Sequence, residues 1–378
     1  MRESPFAFLR ATCHLFYARA RRQSLLPAAH AGWISGDLHL ENFGSFRGAD
    51  GAACFDVNDF DEAALAPGTW DMLRLATSIL VWARTRHRLA GERRALAKIS
   101  LHAFADALVS GQSRPATGTT AAGPVRRLLR QVERRTAQAR LDLRTERRGA
   151  NRMRCLRLDP LHALPALRPE RDRVARGIER FAARLADPQA FRVLDIARRV
   201  AGLGSLGLPR WLVLVEGNGS PDGCWLLDIK GARRSSAAEV VQVRQPDWPS
   251  DAARIVEVQR WLQAEPPALL STIALGRTWF VLKALQPESD RLRLGHLDSE
   301  PAAISEALQM MGRLAAYGLL RGAGRRRAAT VPDWVDFAAR SAWRHELLHR
   351  ARELAHLVHS DWELFAAGYD EGKFTSRN

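Results

Sequence analysis

Cysteine is scarce and scattered. Cys13, Cys54, Cys155 and Cys224 include no CxxC pair, which excludes a zinc knuckle and a disulfide framework and leaves reduced, buried thiols as the expectation. Lysine is nearly absent from a strongly basic chain: Lys98, Lys230, Lys283 and Lys373 stand among 57 basic residues, the other 53 being arginines. An excess made of arginine reads as a bias along the whole chain rather than one basic patch, and each lysine that remains is worth inspecting. No apolar run approaches the roughly 18 residues of a membrane span; the longest, Ser78 to Ala83, is the size of a core segment. The stretch Met1 to Arg22 is broken by Arg10 and His14 and lacks the apolar run of a secretory signal, so the expected location is the cytoplasm. There is no internal repeat.

What remains is a globular composition, 46% hydrophobic and 26% charged over 378 residues, long enough for two domains or one two-lobed one. The net charge of +16 and a pI near 11.0 raise nucleic acid, anionic lipid and polyphosphate as ligands. Phe6, Leu9, Cys13, Phe16 and Ala20 at helical spacing predict a helix over Pro5 to Arg22. A polar loop, Trp33 to Gly44, then leads into a hairpin, Phe43 to Phe46 and a strand ending at Phe55 to Val57, turning at Gly48 to Gly51. A buried helix is expected over Thr69 to Arg86. The Gly, Ala, Thr and Pro of Ser113 to Pro124 read as a linker. Arg126 to Arg157 holds twelve arginines against three acids and no aromatic residue. It reads as a solvated basic helix and hairpin rather than a platform for single-stranded nucleic acid. From Phe191 the pattern turns to strands, Trp211 to Val215, Trp225 to Lys230, Leu269 to Ala274 and Thr278 to Leu285, with a helix over Asp251 to Gln263; helices follow from Pro301. Four segments result: 1–120 as a helical part with a metal-binding hairpin, 121–189 as a basic connection, 190–290 as a β-rich nucleotide-binding part, and 291–378 as the helical remainder.

Three patterns carry chemistry. Asp37-Leu38-His39-Leu40-Glu41-Asn42 sets an aspartate and an asparagine five residues apart in a loop before a hairpin. This is the D-x-x-x-x-N spacing by which a kinase aspartate accepts a substrate hydroxyl proton and an asparagine holds Mg²⁺; a surface Asx turn is the plainer reading. With Gly36 before it, the segment resembles the G-D-x-H-x-x-N form of aminoglycoside phosphotransferases and choline kinases, where His39 would shape the loop rather than react. The hairpin then delivers Asp56, Asp59, Asp61 and Glu62, four carboxylates within seven residues. They repel one another unless cations neutralise some, so a Mg²⁺ site is inferred; Asp59 is favoured as its ligand and Asp56 kept as the alternative, with an acidic turn paired to arginines as the structural reading. Asp71, twelve residues after Asp59, resembles the aspartate that braces the catalytic loop in such folds, and first-turn capping explains it equally well. Third, Gly202-Leu203-Gly204-Ser205-Leu206-Gly207 is a literal G-x-G-x-x-G, followed through Pro209 by a strand and not by a helix. Loop then strand suits a cover over nucleotide phosphates (Gly202, Gly204, Ser205, Gly207) rather than a Rossmann turn. Lys230 ends the next strand, where kinases carry the phosphate-pairing lysine, and Glu257 or, less favourably, Glu239 is its candidate acidic partner.

His345-Glu346-Leu347-Leu348-His349 matches the H-E-x-x-H of zinc peptidases. Periodicity, however, sets Leu347, Leu348, Ala351, Leu354, Ala355, Val358 and Phe365 on one face and His345, His349 and His356 on the other with Arg352, which argues against a buried zinc site.

Ser4 to Arg10, Gly36 to Gly44, Phe55 to Glu62, Trp70 to Leu75 and Gly202 to Gly207 together resemble an uncharacterised bacterial family, domain of unknown function 2252. The chain departs where that pattern has Lys-Glu-Ala, reading Lys230-Gly231-Ala232. The resemblance implies no activity of its own. The motifs imply an α+β, protein kinase-like two-lobed fold in circularly permuted order: a helical lobe from both chain ends and a β-rich nucleotide lobe in the middle. Circular permutation preserves a site because catalysis needs proximity in space and not chain order. The expected function is an ATP- and Mg²⁺-dependent phosphotransferase on an unidentified hydroxyl acceptor, with a nucleic-acid-binding protein or a catalytically silent nucleotide-sensing module as alternatives.

Overall fold

The computed structural model describes the chain except for residues 49, 87, 88, 90, 150–152, 201, 203–206, 287–290, 298 and 375–378. Ser4 accepts the Ala7 N–H and Pro5 opens α1 (Pro5–Ala11), a hydroxyl cap with proline in the first turn. The helix expected to run to Arg22 breaks at Thr12, whose hydroxyl donates to the Phe8 carbonyl at 2.7 Å and competes with the helical ladder; α2 (Cys13–Arg22) restarts beyond it. Then follow β1 (Ala31–Ile34), β2 (Phe43–Arg47), β3 (Ala53–Val57), β4 (Ala64–Pro67), α3 (Thr69–Arg84) and α4 (Arg93–Ser110). β1 pairs with β4 and β2 with β3, both antiparallel, so the segments 35–42 and 58–63 that connect them lie face to face. Every residue of α3 from Thr69 to Ala83 is buried, Asp71 and Arg74 included, and fully buried Leu73 and Ile79 contribute about 1.5–3 kcal/mol each.

The arginine-rich stretch forms α5 (Gly123–Arg134), α6 (Ala137–Asp142) and the hairpin β5 (Thr145–Arg148) and β6 (Met153–Leu156). Arg154 within it is buried and pairs with Asp142 at 2.6 Å and Asp222 at 2.9 Å. β7 (Ala163–Pro165) and α7 (Arg168–Ala182) come next, then β8 (Val193–Arg199), β9 (Arg210–Val215), β10 (Trp225–Gly231), α8 (Ser236–Val240), α9 (Asp251–Leu262), β11 (Ser271–Leu275) and β12 (Thr278–Ala284). The helices α10 (Pro301–Gly322), α11 (Val331–Ala339) and α12 (Ala342–Asp370) close the chain. The protein is thus mixed α+β.

Six antiparallel strands in the order β11-β12-β10-β9-β8-β7 make the large sheet, which therefore also recruits β7 from the stretch read as a connection. Side chains alternate across it. One face, with Trp211, Val213, Leu227, Ile229, Phe280 and Leu282, packs against Val174 and Ile178 of α7. The opposite face splits: Ala197, Leu212 and Leu214 are apolar at one end, while Arg199, Arg210, Asp228, Lys230 and Lys283 occupy the other, with Asp228 opposite Lys283 in register. A second, larger core gathers α1–α4, α9, α10 and α12.

The four cysteines are free; Cys155 is half-buried and the others are buried. His345 and His349 are exposed on α12 while Leu347 and Leu348 are buried, so the H-E-x-x-H face is wet as its periodicity predicts. No helix among the described residues is long and apolar enough to cross a membrane.

Candidate functional site

The loop after β1 is held from beneath by the start of α3. Asp71 accepts the Ser35 N–H at 2.7 Å and hydroxyl at 3.0 Å, and the Gly36 N–H at 2.9 Å. Burial pushes its carboxyl up to about 6 against those donors. Gly36 has φ +80°, and a Cβ there would run into the Glu62 carbonyl, so the close approach of the two segments requires glycine. Asn42 stitches them together: its Nδ2 donates to the carbonyls of Asp37 (3.0 Å) and Asp59 (3.2 Å), and its Oδ1 accepts the Asp59 N–H at 2.8 Å.

Asp37 projects from this loop toward fully buried Arg74, whose Nε donates to Oδ1 at 2.5 Å. Burial raises the Asp37 carboxyl to about 6 even though Arg74 opposes the rise. His39 is buried, with Nε2 4.0 Å from Asp37 Oδ2 and Nδ1 accepting the Glu41 N–H at 3.2 Å. Burial, then the charges of Arg10 and Arg74, holds its imidazole well below the usual range, so it is neutral at pH 7.

The acidic segment does not gather into one cluster. The chain's own cations neutralise it, as the structural reading of an arginine-rich protein anticipates. Asp56 accepts the Ala264 N–H and the Arg321 guanidinium, each at 3.2 Å, and does not line the cleft described below. Glu62 accepts from Ser236 and from Arg233 at 3.1 Å. Arg254 of α9 donates to the carbonyls of Ala63 (2.6 Å), Asp61 (3.0 Å) and Arg233 (2.7 Å), which fixes this segment against the strand end beyond Lys230.

Lys230, on the sheet's charged face, meets Asp61 at 2.6 Å and Asp59 at 3.0 Å. Burial would raise Asp59, but Lys230 and Lys283 outweigh it and hold it well below the usual carboxylate range; Asp61 is pushed up by burial and by Asp59. The acidic partners of Lys230 are therefore Asp59 and Asp61 and not Glu257. The latter points outward from α9 and pairs with Arg260 at 3.3 Å, because α9 buries Ile255, Val256 and Val258 on its other side. Glu239 is exposed on α8.

These groups enclose a narrow cleft of about 90 Å³. Asp37, His39, Asn42 and Asp59 line one wall; Arg199, Gly202, Arg210, Asp228, Lys230 and Lys283 line the other. Arg10, Glu41 and Arg291 also line it. Asp228 is engaged by Arg199 and Arg210, and these guanidiniums outweigh burial to hold it well below the ordinary range. Lys283 has the Asn58 carbonyl at 3.4 Å as its hydrogen-bond partner among the described residues, and burial lowers its ammonium to about 8 against Asp228 and Asp59. Gly202 and Gly207 both have positive φ; Gly204 and Ser205 lie outside the described residues. Sequence reasoning named Asp37, His39, Asn42, Asp59, Gly202 and Lys230 and missed Arg199, Arg210, Asp228 and Lys283. Lys283 could have been found as one of the four lysines, two of which line this cleft.

A larger cavity of about 600 Å³ adjoins the cleft, sharing Lys283 and Gln286 with it, and its walls include Phe46, Leu141, Leu226 and Leu285. The surroundings are cationic, narrow and closely hydrogen-bonded, suited to holding several phosphate oxygens beside an apolar chamber. Among the described residues, no group of three or more His, Cys, Asp or Glu side chains could hold a metal ion.

Residues 1–368 match the sequence model of a family described as "Uncharacterized protein conserved in bacteria (DUF2252)". No curated protein and no solved structure matches the chain.

Proposed function

Because the chain belongs to the bacterial family DUF2252, whose description names no activity, we propose a function from the cleft alone: an ATP- and Mg²⁺-dependent phosphotransferase acting on a hydroxyl acceptor. In this reading the fold is kinase-like and two-lobed, with its halves in circularly permuted order. The observation that carries it is the ion pair of Lys230 with Asp59. A lysine on the second strand after a glycine-bearing turn and an aspartate after a D-x-x-x-x-N loop meet across 171 residues of sequence, as phosphate-pairing and metal-binding groups must.

Lys230, Lys283 and Arg210 would grip the phosphates, and the neighbouring apolar chamber would take the nucleoside. The acceptor hydroxyl forms a new bond to the γ-phosphorus, the bond to the β,γ-bridging oxygen breaks with its electron pair leaving on ADP, and the hydroxyl proton passes to Asp37. Mg²⁺ is usually held by one or two carboxylates together with substrate phosphates and water. Asp59, 45% exposed at the cleft, with Asn42 beside it, suits that mode, and the ion would neutralise phosphate charge there.

The first test is thermal stability of the wild type, Asp59→Ala and Lys230→Ala with ATP, with and without Mg²⁺, since a ligand of the folded state raises the melting temperature. A Mg²⁺-dependent rise that both variants lose is expected. No shift at millimolar ATP would sink the nucleotide reading and bring nucleic acid binding forward.

Lys283 supplies a second check. With its ammonium lowered to about 8, roughly half the molecules carry it neutral at that pH, and bound phosphate restores the charge. ATP binding near pH 8 should therefore take up a fraction of a proton, and much less at pH 6.5. Calorimetry in two buffers of different ionisation enthalpy reads this directly; equal heats at pH 8 would exclude Lys283 from the phosphate site.

One observation favours the silent nucleotide-sensing module: Asp37 is already engaged by Arg74. Such a module would bind ATP and keep its function without Asp37.

A further inference from the structure

A further cavity of about 450 Å³ adjoins the phosphate cleft and is large enough for a small organic molecule. Glu41 and Arg291 line both. Resting on the phosphotransferase reading, we propose that this cavity holds the acceptor, and that the acceptor is an aryl or similarly flat apolar alcohol carrying an anionic group.

Its position argues for the first half. Phe6, which lines it, stands edge-on to His39 with ring centroids 6.3 Å apart, and His39 flanks Asp37. A hydroxyl projecting from the cavity past Glu41 thus arrives at the carboxylate that takes its proton. The apolar chamber meets the phosphate cleft at a different pair of residues, Lys283 and Gln286. Nucleoside, phosphates and acceptor would occupy three successive chambers, with the transferred phosphoryl group in the middle one.

Its chemistry argues for the second half. Phe6, Leu40, Trp82, Leu292 and Leu294 supply apolar walls, which suit a flat hydrocarbon body. Arg86, Arg291 and Arg293 supply positive charge, and the Arg86 guanidinium lies 4.6 Å from the centroid of the Trp82 ring, so that charge and aromatic surface are presented together. Glu41, the acidic residue among the lining groups, is paired with Arg10 at 2.7 Å. A cationic amine would meet repulsion here, and a carboxylate or phosphate would find the exposed guanidinium of Arg293.

The experiment compares 4-hydroxyphenylacetate with tyramine, which carry the same phenol and opposite charges. Binding to the full chain is measured by calorimetry or saturation-transfer NMR, with and without a non-hydrolysable ATP analogue and Mg²⁺. The expected result is at least about tenfold tighter binding of the carboxylate. Arg293 is exposed, so Arg293→Glu should fold; it should abolish the preference while leaving analogue binding unchanged. Equal or tighter binding of tyramine, or a preference that survives Arg293→Glu, would overturn the proposal. Absence of analogue binding by the wild type would instead overturn the phosphotransferase reading, and the phenol comparison without nucleotide separates the two failures.

Discussion

Under the phosphotransferase proposed for the cleft, replacing Asp37 by asparagine is expected to lower phosphoryl transfer by about 10²- to 10⁴-fold, the range a positioned general base contributes, while ATP still raises the melting temperature. Asparagine keeps the shape and an oxygen acceptor for Arg74 Nε but cannot take a proton. The wild-type rate carries its own signature. Burial raises the Asp37 carboxyl to about 6, so the base is protonated and idle at pH 5, and the rate at saturating substrate should climb through about 6 to a plateau. A pH profile of the wild type beside single-point assays of the variant measures both. A flat profile between pH 5 and 8, or an Asp37→Asn protein that still turns over at the wild-type rate, would remove Asp37 from the chemistry.

Arg74→Met carries the second large effect, on stability. Arg74 is fully buried, its guanidinium lies 4.7 Å from the Phe16 ring centroid and donates to the Leu9 carbonyl at 3.1 Å as well as to Asp37. Removing one member of a buried ion pair costs about 3–5 kcal/mol because the other charge is left uncompensated. The loss should depend on pH in a defined direction. Without Arg74 the Asp37 carboxyl rises above its present value of about 6, so the folded variant holds a proton to higher pH than the wild type does. A group whose folded value is raised stabilises at low pH and ceases to do so as pH climbs through that value. The gap between variant and wild type is therefore small near pH 5 and widens toward pH 8. Urea unfolding at both pH values measures it, and a pH-independent gap would show that Arg74 acts through packing alone.

What could be read from the sequence was local. The loop from Gly36 to Asn42, the hairpin after it and the brace at Asp71 each depend on spacing within a few residues, and each is found in the structure. Lys230 stood out because lysine is rare in this chain, and its strand was visible as a short apolar run after a Gly-rich turn. The partners of these groups were not legible, since they depend on which strands and helices meet. Arg74 is one of 53 arginines, and nothing in its neighbourhood marks it as the one facing Asp37. Lys283 joins the cleft through the pairing of β12 with β10, a register no local pattern encodes. Glu257 failed as a partner for Lys230 because helical periodicity fixes the position of a residue but not which side of α9 is covered. The break at Thr12 turned on one hydroxyl bonding back to Phe8, a choice that apolar spacing cannot reveal.

The Lys230–Asp59 contact also has a consequence for how the protein is made. Closing a loop of 171 residues costs about 2.5 kcal/mol more in chain entropy than closing one of ten, and Arg254, which secures the junction, reaches carbonyls 191 and 193 residues away. The cleft is therefore expected to form late in folding, after the sheet with α7 and the helical body have each condensed. A nascent chain halted before residue 230 carries the Asp37 loop without the two lysines, Lys230 and Lys283, of the opposing wall. Because its walls come from both cores, partial unfolding of either is expected to open the cleft.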